Sequence, residues 1–135
     1  MASANPMTAG PRWLVWLGRV LSALPVLMMA LSAVMKLTHD ARAVADFTGF
    51  FGWQERALTW LGLLELTVVA IYLIPPTAVL GAILVTGYLG GAVATHFRVG
   101  DPQLVGPLVL GVLAWAGLYL RDARVRSLIP LRKAP

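Results

Sequence analysis

Long apolar runs separated by short polar breaks dominate the chain. The first uncharged run is Val20 to Met35, sixteen residues between Arg19 and Lys36. From Ala57 to Phe97 the only formally charged residue is Glu65, and from Pro102 to Leu120 there is none. A helix needs about 20 apolar residues to cross the hydrocarbon core of a bilayer. The pattern therefore predicts four transmembrane helices, at about residues 14–37, 55–74, 77–97 and 104–120. Pro75-Pro76 separates the second from the third, because proline removes a backbone donor and crowds the preceding turn. Gly100-Asp-Pro102 separates the third from the fourth. Pro25 falls inside the first span and should kink it. That span also has features of a cleaved signal peptide, with arginines, an apolar core, then small residues at Ser32 and Ala33, but Lys36 and the long region ahead of it fit poorly.

The breaks complete the outline. Residues 1–11 are small and polar with two prolines, which predicts a disordered tail at 1–13, and Trp13 and Trp16 beside Arg12 and Arg19 form an interfacial anchor. Thr38 to Gln54 is the one substantial loop. It mixes charged and aromatic residues, predicting a short amphipathic helix at the interface and then a glycine-marked turn carrying Phe50, Phe51 and Trp53. The expected fold is all-α, an integral membrane antiparallel four-helix bundle occupying 14–121, followed by a basic tail at 122–135. The third span is crowded with small residues: Gly87 and Gly91 are four apart, as are Gly90 and Ala94. Small residues let membrane helices approach closely, so this span reads as the innermost helix, or else as a face for a homodimer.

Composition supports the membrane reading. The chain is 59% hydrophobic and 13% charged, about half the charge of an average globular domain, and its mean hydropathy is +0.77. The net charge of +5 does not point to nucleic acid, because five of the eleven Lys and Arg residues follow the last span (Arg121, Arg124, Arg126, Arg132 and Lys133). An anionic lipid surface suits such a tail. The two termini hold seven Lys and Arg against four on the other side (Lys36, Arg42, Arg56 and Arg98), so the positive-inside rule predicts both termini in the cytoplasm. There is no cysteine, which excludes thiol redox chemistry, thiolate metal sites and iron–sulfur clusters within the chain.

Few residues are left to carry chemistry. Glu65 lies near the middle of the second span, where a carboxylate is costly unless paired or protonated; it reads as a proton-handling or ligand-contacting acid, or as a paired group holding the bundle in register. His96, at the end of the third span, suits proton exchange or hydrogen bonding to a carbonyl, with a helix-end capping role as the alternative. Lys36 either snorkels and pairs with Asp40 or turns inward to neutralise Glu65 or a ligand anion. Tyr88 and Arg98 complete a candidate ligand-binding set with Lys36, Glu65 and His96. No metal site is expected, since His39, the other histidine, lies in a loop.

Several stretches together carry a resemblance: Ser32-Ala-Val-Met-Lys-Leu37, Leu61-Gly-Leu-Leu-Glu-Leu66, Pro75-Pro-Thr-Ala-Val-Leu-Gly-Ala-Ile-Leu84 and Gly87-Tyr-Leu-Gly-Gly-Ala-Val-Ala-Thr-His-Phe-Arg98. They closely resemble the DoxX-like family of small bacterial four-helix membrane proteins, over about Arg19 to Leu131. The resemblance implies a bacterial inner-membrane protein and divides three ways on function. Relatives include a subunit of a thiosulfate–quinone oxidoreductase and a component associated with redox-stress enzymes, implying a quinone-linked role with a membrane or redox partner protein. More distant relatives are chaperones or cargo receptors, implying a scaffold. Similar folds that reduce quinones through cysteines cannot be matched by a chain without cysteine. The leading expectation is a small lipophilic ligand, of the quinone kind, held in the bundle. The alternatives are a non-enzymatic scaffold or assembly factor, and a cofactor-free acid–base isomerase or hydrolase using Glu65.

Overall fold

The computed structural model describes residues 11–129. Four long helices, α1 (Arg12–Leu37), α3 (Arg56–Leu73), α4 (Ala78–Arg98) and α5 (Val105–Arg121), form the bundle, and two short ones, α2 (Ala41–Val44) and α6 (Ala123–Leu128), lie at its ends. There is no strand among the described residues. All four long helices are long and apolar enough to cross a membrane, and the protein is a multi-pass membrane protein. Helix α1 already includes Arg12 and Trp13, which the sequence reading left in the tail. Pro11 is extended and its carbonyl accepts the Leu14 N–H at 2.9 Å, closing the first turn. The rest of the expected amino-terminal tail, residues 1–10, and residues 130–135 of the basic tail lie outside the described residues.

The helices close in a ring, with α1 against α3 and α5, and α4 against the same two. One end of the bundle carries the start of α1, the α3–α4 turn and α6, and is called the terminal end here. The other, the loop end, carries residues 38–55 and the α4–α5 turn. Pro75–Thr77 forms a single 3-10 turn between α3 and α4. So tight a reversal presses the start of α4 onto the end of α3: a Cβ on Gly81 would collide with the backbone of Tyr72. Across the ring, a Cβ on Gly18 would lie 2.7 Å from the Gly117 carbonyl oxygen, so α1 and α5 touch backbone to backbone.

The small residues that make the packing possible are therefore Gly18, Gly62, Gly81 and Gly117, and not the stripe on α4. Added Cβ atoms on Gly87, Gly90 and Gly91 would meet nothing within 4 Å. Helix geometry explains the reversal of that expectation. The buried face of α4 is Ala78, Gly81, Ala82, Val85 and Leu89, and at ~100° per residue Gly87 and Gly91 fall on the opposite side. Helix α4 is one of four walls, with Gly87, Gly90 and Gly91 turned outward.

Residues 38–55 fold over the loop end. Asp40 caps α2, its carboxylate accepting the Arg42 N–H at 3.0 Å. Without a break α2 widens into a π-helical turn, Ala45–Phe50, a rare geometry that frequently accompanies functional sites. Residues with positive φ, His39 (49°) and Gly52 (71°), bracket the segment and let the chain turn sharply into and out of it. Phe51 is buried, meeting Phe47 and Phe50 edge to face at 5.8 and 5.1 Å, whereas Phe50 and Trp53 stay exposed.

Candidate functional site

Glu65 is the tenth residue of the eighteen in α3, roughly 13 Å from either end of the helix. It faces inward with Leu58, Gly62, Val69 and Tyr72, because these positions share one side of the helix and pack on the neighbouring helices. Lys36 ends α1 at the same level, since Gly62 meets Leu37 and the Ala33 carbonyl there. The Lys36 Nζ donates to Glu65 Oε2 at 2.7 Å, with the side chains only 8% and 3% exposed. It also donates to the Ser32 hydroxyl, one turn back on α1. The Ser32 and Tyr88 side chains are further polar neighbours of the Glu65 carboxylate. The Phe47 ring lies 5.5 Å from Nζ, placing an aromatic face over the ammonium. Of the two roles open to Lys36, the structure takes the inward one, and Asp40 caps α2 instead.

An ion pair at this depth is unusual. Removing two charges from water costs several kcal/mol each, and their attraction compensates only when the remaining donors and acceptors are also satisfied. Here the ammonium has a carboxylate, a hydroxyl and a ring, and the carboxylate has an ammonium and two hydroxyl-bearing neighbours. The cluster can offer a cation and an anion to a ligand, or pass a proton from the ammonium to the carboxylate to leave both groups neutral, whereas a proton gained from or lost to outside leaves one charge without its partner.

His96 and Arg98 stand apart from this pair, above it at the loop end. His96 Nδ1 pairs with Asp101 Oδ2 at 2.7 Å, and the ring meets Phe51 edge on at 4.9 Å. Asp101 also caps the α4–α5 turn, its other oxygen accepting the Gln103 N–H at 3.0 Å. That backbone bond first, and then His96, hold the Asp101 carboxyl below the usual carboxylate range. Arg98 donates to the Phe51 carbonyl. The two residues thus fasten the 41–53 segment to α4, forming a roof with Phe47 and Phe51 over Lys36 and Glu65. The five candidate residues divide into a buried cluster (Lys36, Glu65, Tyr88) and a roof latch (His96, Arg98). Among the described residues no three His, Asp or Glu side chains converge as metal ligands.

Sequence reasoning missed the latch partners. Asp101 read only as part of a turn; its place five residues after His96, just past the helix end, was the available signal. Phe47 and Phe51 had no signal separating them from Phe50 beside them. A second polar centre at the terminal end was also missed. Tyr72, 1% exposed, donates its hydroxyl to the Ala114 carbonyl at 2.7 Å and shares a 2.8 Å hydrogen bond with Ser22. The Arg121 guanidinium lies 5.1 Å from the Tyr72 ring. This centre ties three helices together where Gly18 and Gly117 meet. An apolar groove of about 680 Å³ lies elsewhere, along α4 and α5.

Comparison with protein families finds one match in these terms: the model of the DoxX-like family covers residues 20–117. Neither the curated proteins nor the solved structures contain a match to this chain.

Proposed function

The chain belongs to the DoxX-like family of membrane proteins, and we propose that within this fold it binds a small lipophilic carbonyl compound, of the quinone class, at the Lys36–Glu65 pair. The observation that carries the reading is the ion pair itself, buried inside a bundle of membrane-crossing helices with Glu65 half-way along α3, since charged side chains within transmembrane segments mark functional sites by default. In this reading the ligand enters between α1, α3 and α4 beneath Phe47. The Lys36 ammonium donates to a ligand carbonyl, Tyr88 supplies a second hydroxyl, and Glu65 exchanges a proton with the bound molecule. His96 and Arg98 act on the roof, deciding how tightly residues 41–53 close over the site. The chain contributes binding and proton handling, and the electrons of any reduction come from a redox partner in the same membrane. We place it in the bacterial inner membrane with both termini cytoplasmic, on the distribution of Lys and Arg between the two ends.

One observation favours a second reading, an assembly or scaffold protein. The outward Gly87, Gly90 and Gly91 leave a shallow face on α4 that another transmembrane helix could approach closely. Native mass spectrometry of the detergent-purified protein, with identification of extracted small molecules, separates the two. The ligand reading expects a stoichiometric lipophile of the quinone class that is lost in Glu65→Gln. The scaffold reading expects no such lipophile, tolerance of Glu65→Gln, and loss of an associated protein in Gly87→Leu or Gly91→Leu.

A further inference from the structure

The groove along α4 and α5 lies outside the Lys36–Glu65 site, and its shape and the charge at its end are a separate matter. We propose that it binds an anionic phospholipid, with one acyl chain along the groove and the headgroup phosphate against the arginines of the α5–α6 junction. Its volume of about 680 Å³ is within the ~300–1,000 Å³ range of small-molecule sites. It runs from Pro107 to Leu120 and Ile129, about 20 Å of helix, enough for a chain that fills one leaflet of ~15 Å. Gly90 and Gly111 make the depth, since neither carries a side chain to fill it.

The wall is almost entirely hydrocarbon, with Thr86, Trp115 and Tyr119 its polar side chains. The Trp115 indole N–H donates to the Thr86 hydroxyl at 2.7 Å, and that hydroxyl donates to the Ala82 carbonyl at 2.8 Å. Thr86 and Trp115 are thus satisfied by the protein, so away from the Tyr119 hydroxyl the groove favours hydrocarbon over a quinone ring or a headgroup.

Polar recognition is concentrated at the terminal end. The Arg126 guanidinium donates to the Tyr119 and Leu120 carbonyls at 3.2 and 2.7 Å, and both of those residues line the groove. A cation is thereby held at the rim. Arg124, exposed, stands two residues before it, and Asp122, the one acidic residue after Asp101, has a carboxylate oxygen engaged in capping α6 through the Arg124 N–H at 2.9 Å. Anionic headgroups are attracted by such juxtamembrane arginines. The same charges argue against a second copy of this chain as the occupant. A two-fold axis along the membrane normal would bring the arginines of both copies to one end, like charge facing like.

The test is native mass spectrometry of the full chain in detergent, titrated with an equimolar mixture of phosphatidylglycerol and phosphatidylcholine of the same acyl chains. The expected result is a single phosphatidylglycerol adduct in clear preference. Arg124→Gln and Arg126→Gln should each reduce that preference about five-fold, the equivalent of ~1 kcal/mol per arginine. Gly90→Leu, whose new side chain meets open space, and Gly111→Leu should each lower occupancy of both lipids while the helical content by circular dichroism is unchanged. Glu65→Gln should leave the adduct in place, which keeps this result separate from loss of the proposed quinone-class ligand. Equal binding of the two lipids, a preference that survives in the double arginine variant, unchanged occupancy in the folded groove variants, or a lipid-free dimer would each overturn the proposal.

Discussion

Replacing Lys36 by methionine keeps most of the length of the side chain and removes its charge, leaving Glu65 buried without its partner. Two outcomes bound the cost. If the carboxylate stays ionised, breaking a buried pair costs about 3–5 kcal/mol. If it takes up a proton instead, the cost at pH 7 is that of protonating an ordinary carboxylic acid, about 3.5 kcal/mol at 1.36 kcal/mol per pH unit. The second route sets the ceiling, so Lys36→Met should lose about 3 kcal/mol at pH 7. The route also has a direction in pH. The folded variant would hold a proton that its unfolded state releases, so its stability rises relative to wild type by up to ~1.4 kcal/mol for each pH unit of acidification, until the ordinary carboxylate range is reached. Glu65→Gln in the same background removes the orphaned charge and should restore all but about 1 kcal/mol, giving a coupling energy of ~2 kcal/mol or more in the double-mutant cycle. Reversible unfolding in mixed micelles, followed by tryptophan fluorescence at pH 5, 6 and 7, measures each term. A loss below ~1 kcal/mol that does not vary with pH, or additive single and double variants, would refute a buried, charged pair.

Three other expectations rest on separate parts of the fold. Gly81→Ala should destabilise the bundle by more than about 2 kcal/mol in the same unfolding assay, because the new methyl meets the Tyr72 backbone, whereas Gly87→Ala should leave stability unchanged or slightly raised. Tyr72→Phe leaves the Ala114 carbonyl and Ser22 hydroxyl without their shared partner and should cost ~1–3 kcal/mol, which a loss under ~0.5 kcal/mol would contradict. Since the Asp101 carboxyl is held below its ordinary range, its contribution to the roof is fully present above the ordinary carboxylate range and is lost as pH falls through the lowered value. Amide protection across residues 41–53, corrected for the intrinsic pH dependence of exchange, should therefore fall on acidification in the wild type, and Asp101→Asn should show that lower protection already at neutral pH.

The sequence by itself determined the class of the protein and the existence of its central residue. Four apolar runs of helix-spanning length point to transmembrane helices, because a backbone in hydrocarbon must satisfy its own hydrogen bonds and a helix does so within one segment. A lone glutamate in the middle of one run demanded a partner on the same physical ground, and Lys36 was one of few cations within reach. What the sequence left open was facing. A run that is apolar on every side has no amphipathic stripe to say which face turns inward, since lipid and protein interior are equally apolar to a leucine. Gly87, Gly90 and Gly91 of α4 therefore looked like packing residues and face outward, while Gly18, Gly81 and Gly117 carry the close contacts. The same ambiguity left Lys36 between Asp40 and Glu65, and grouped His96 and Arg98 with the buried pair. Only the tertiary structure settled these, because they depend on how α1, α3 and α4 are rotated about their axes and on where residues 38–55 fold back. Those are decided by backbone-to-backbone fit at a few glycines and by hydrogen bonds between distant segments, such as Arg98 to the Phe51 carbonyl and Tyr72 to Ser22 and the Ala114 carbonyl, which periodicity along the chain does not record.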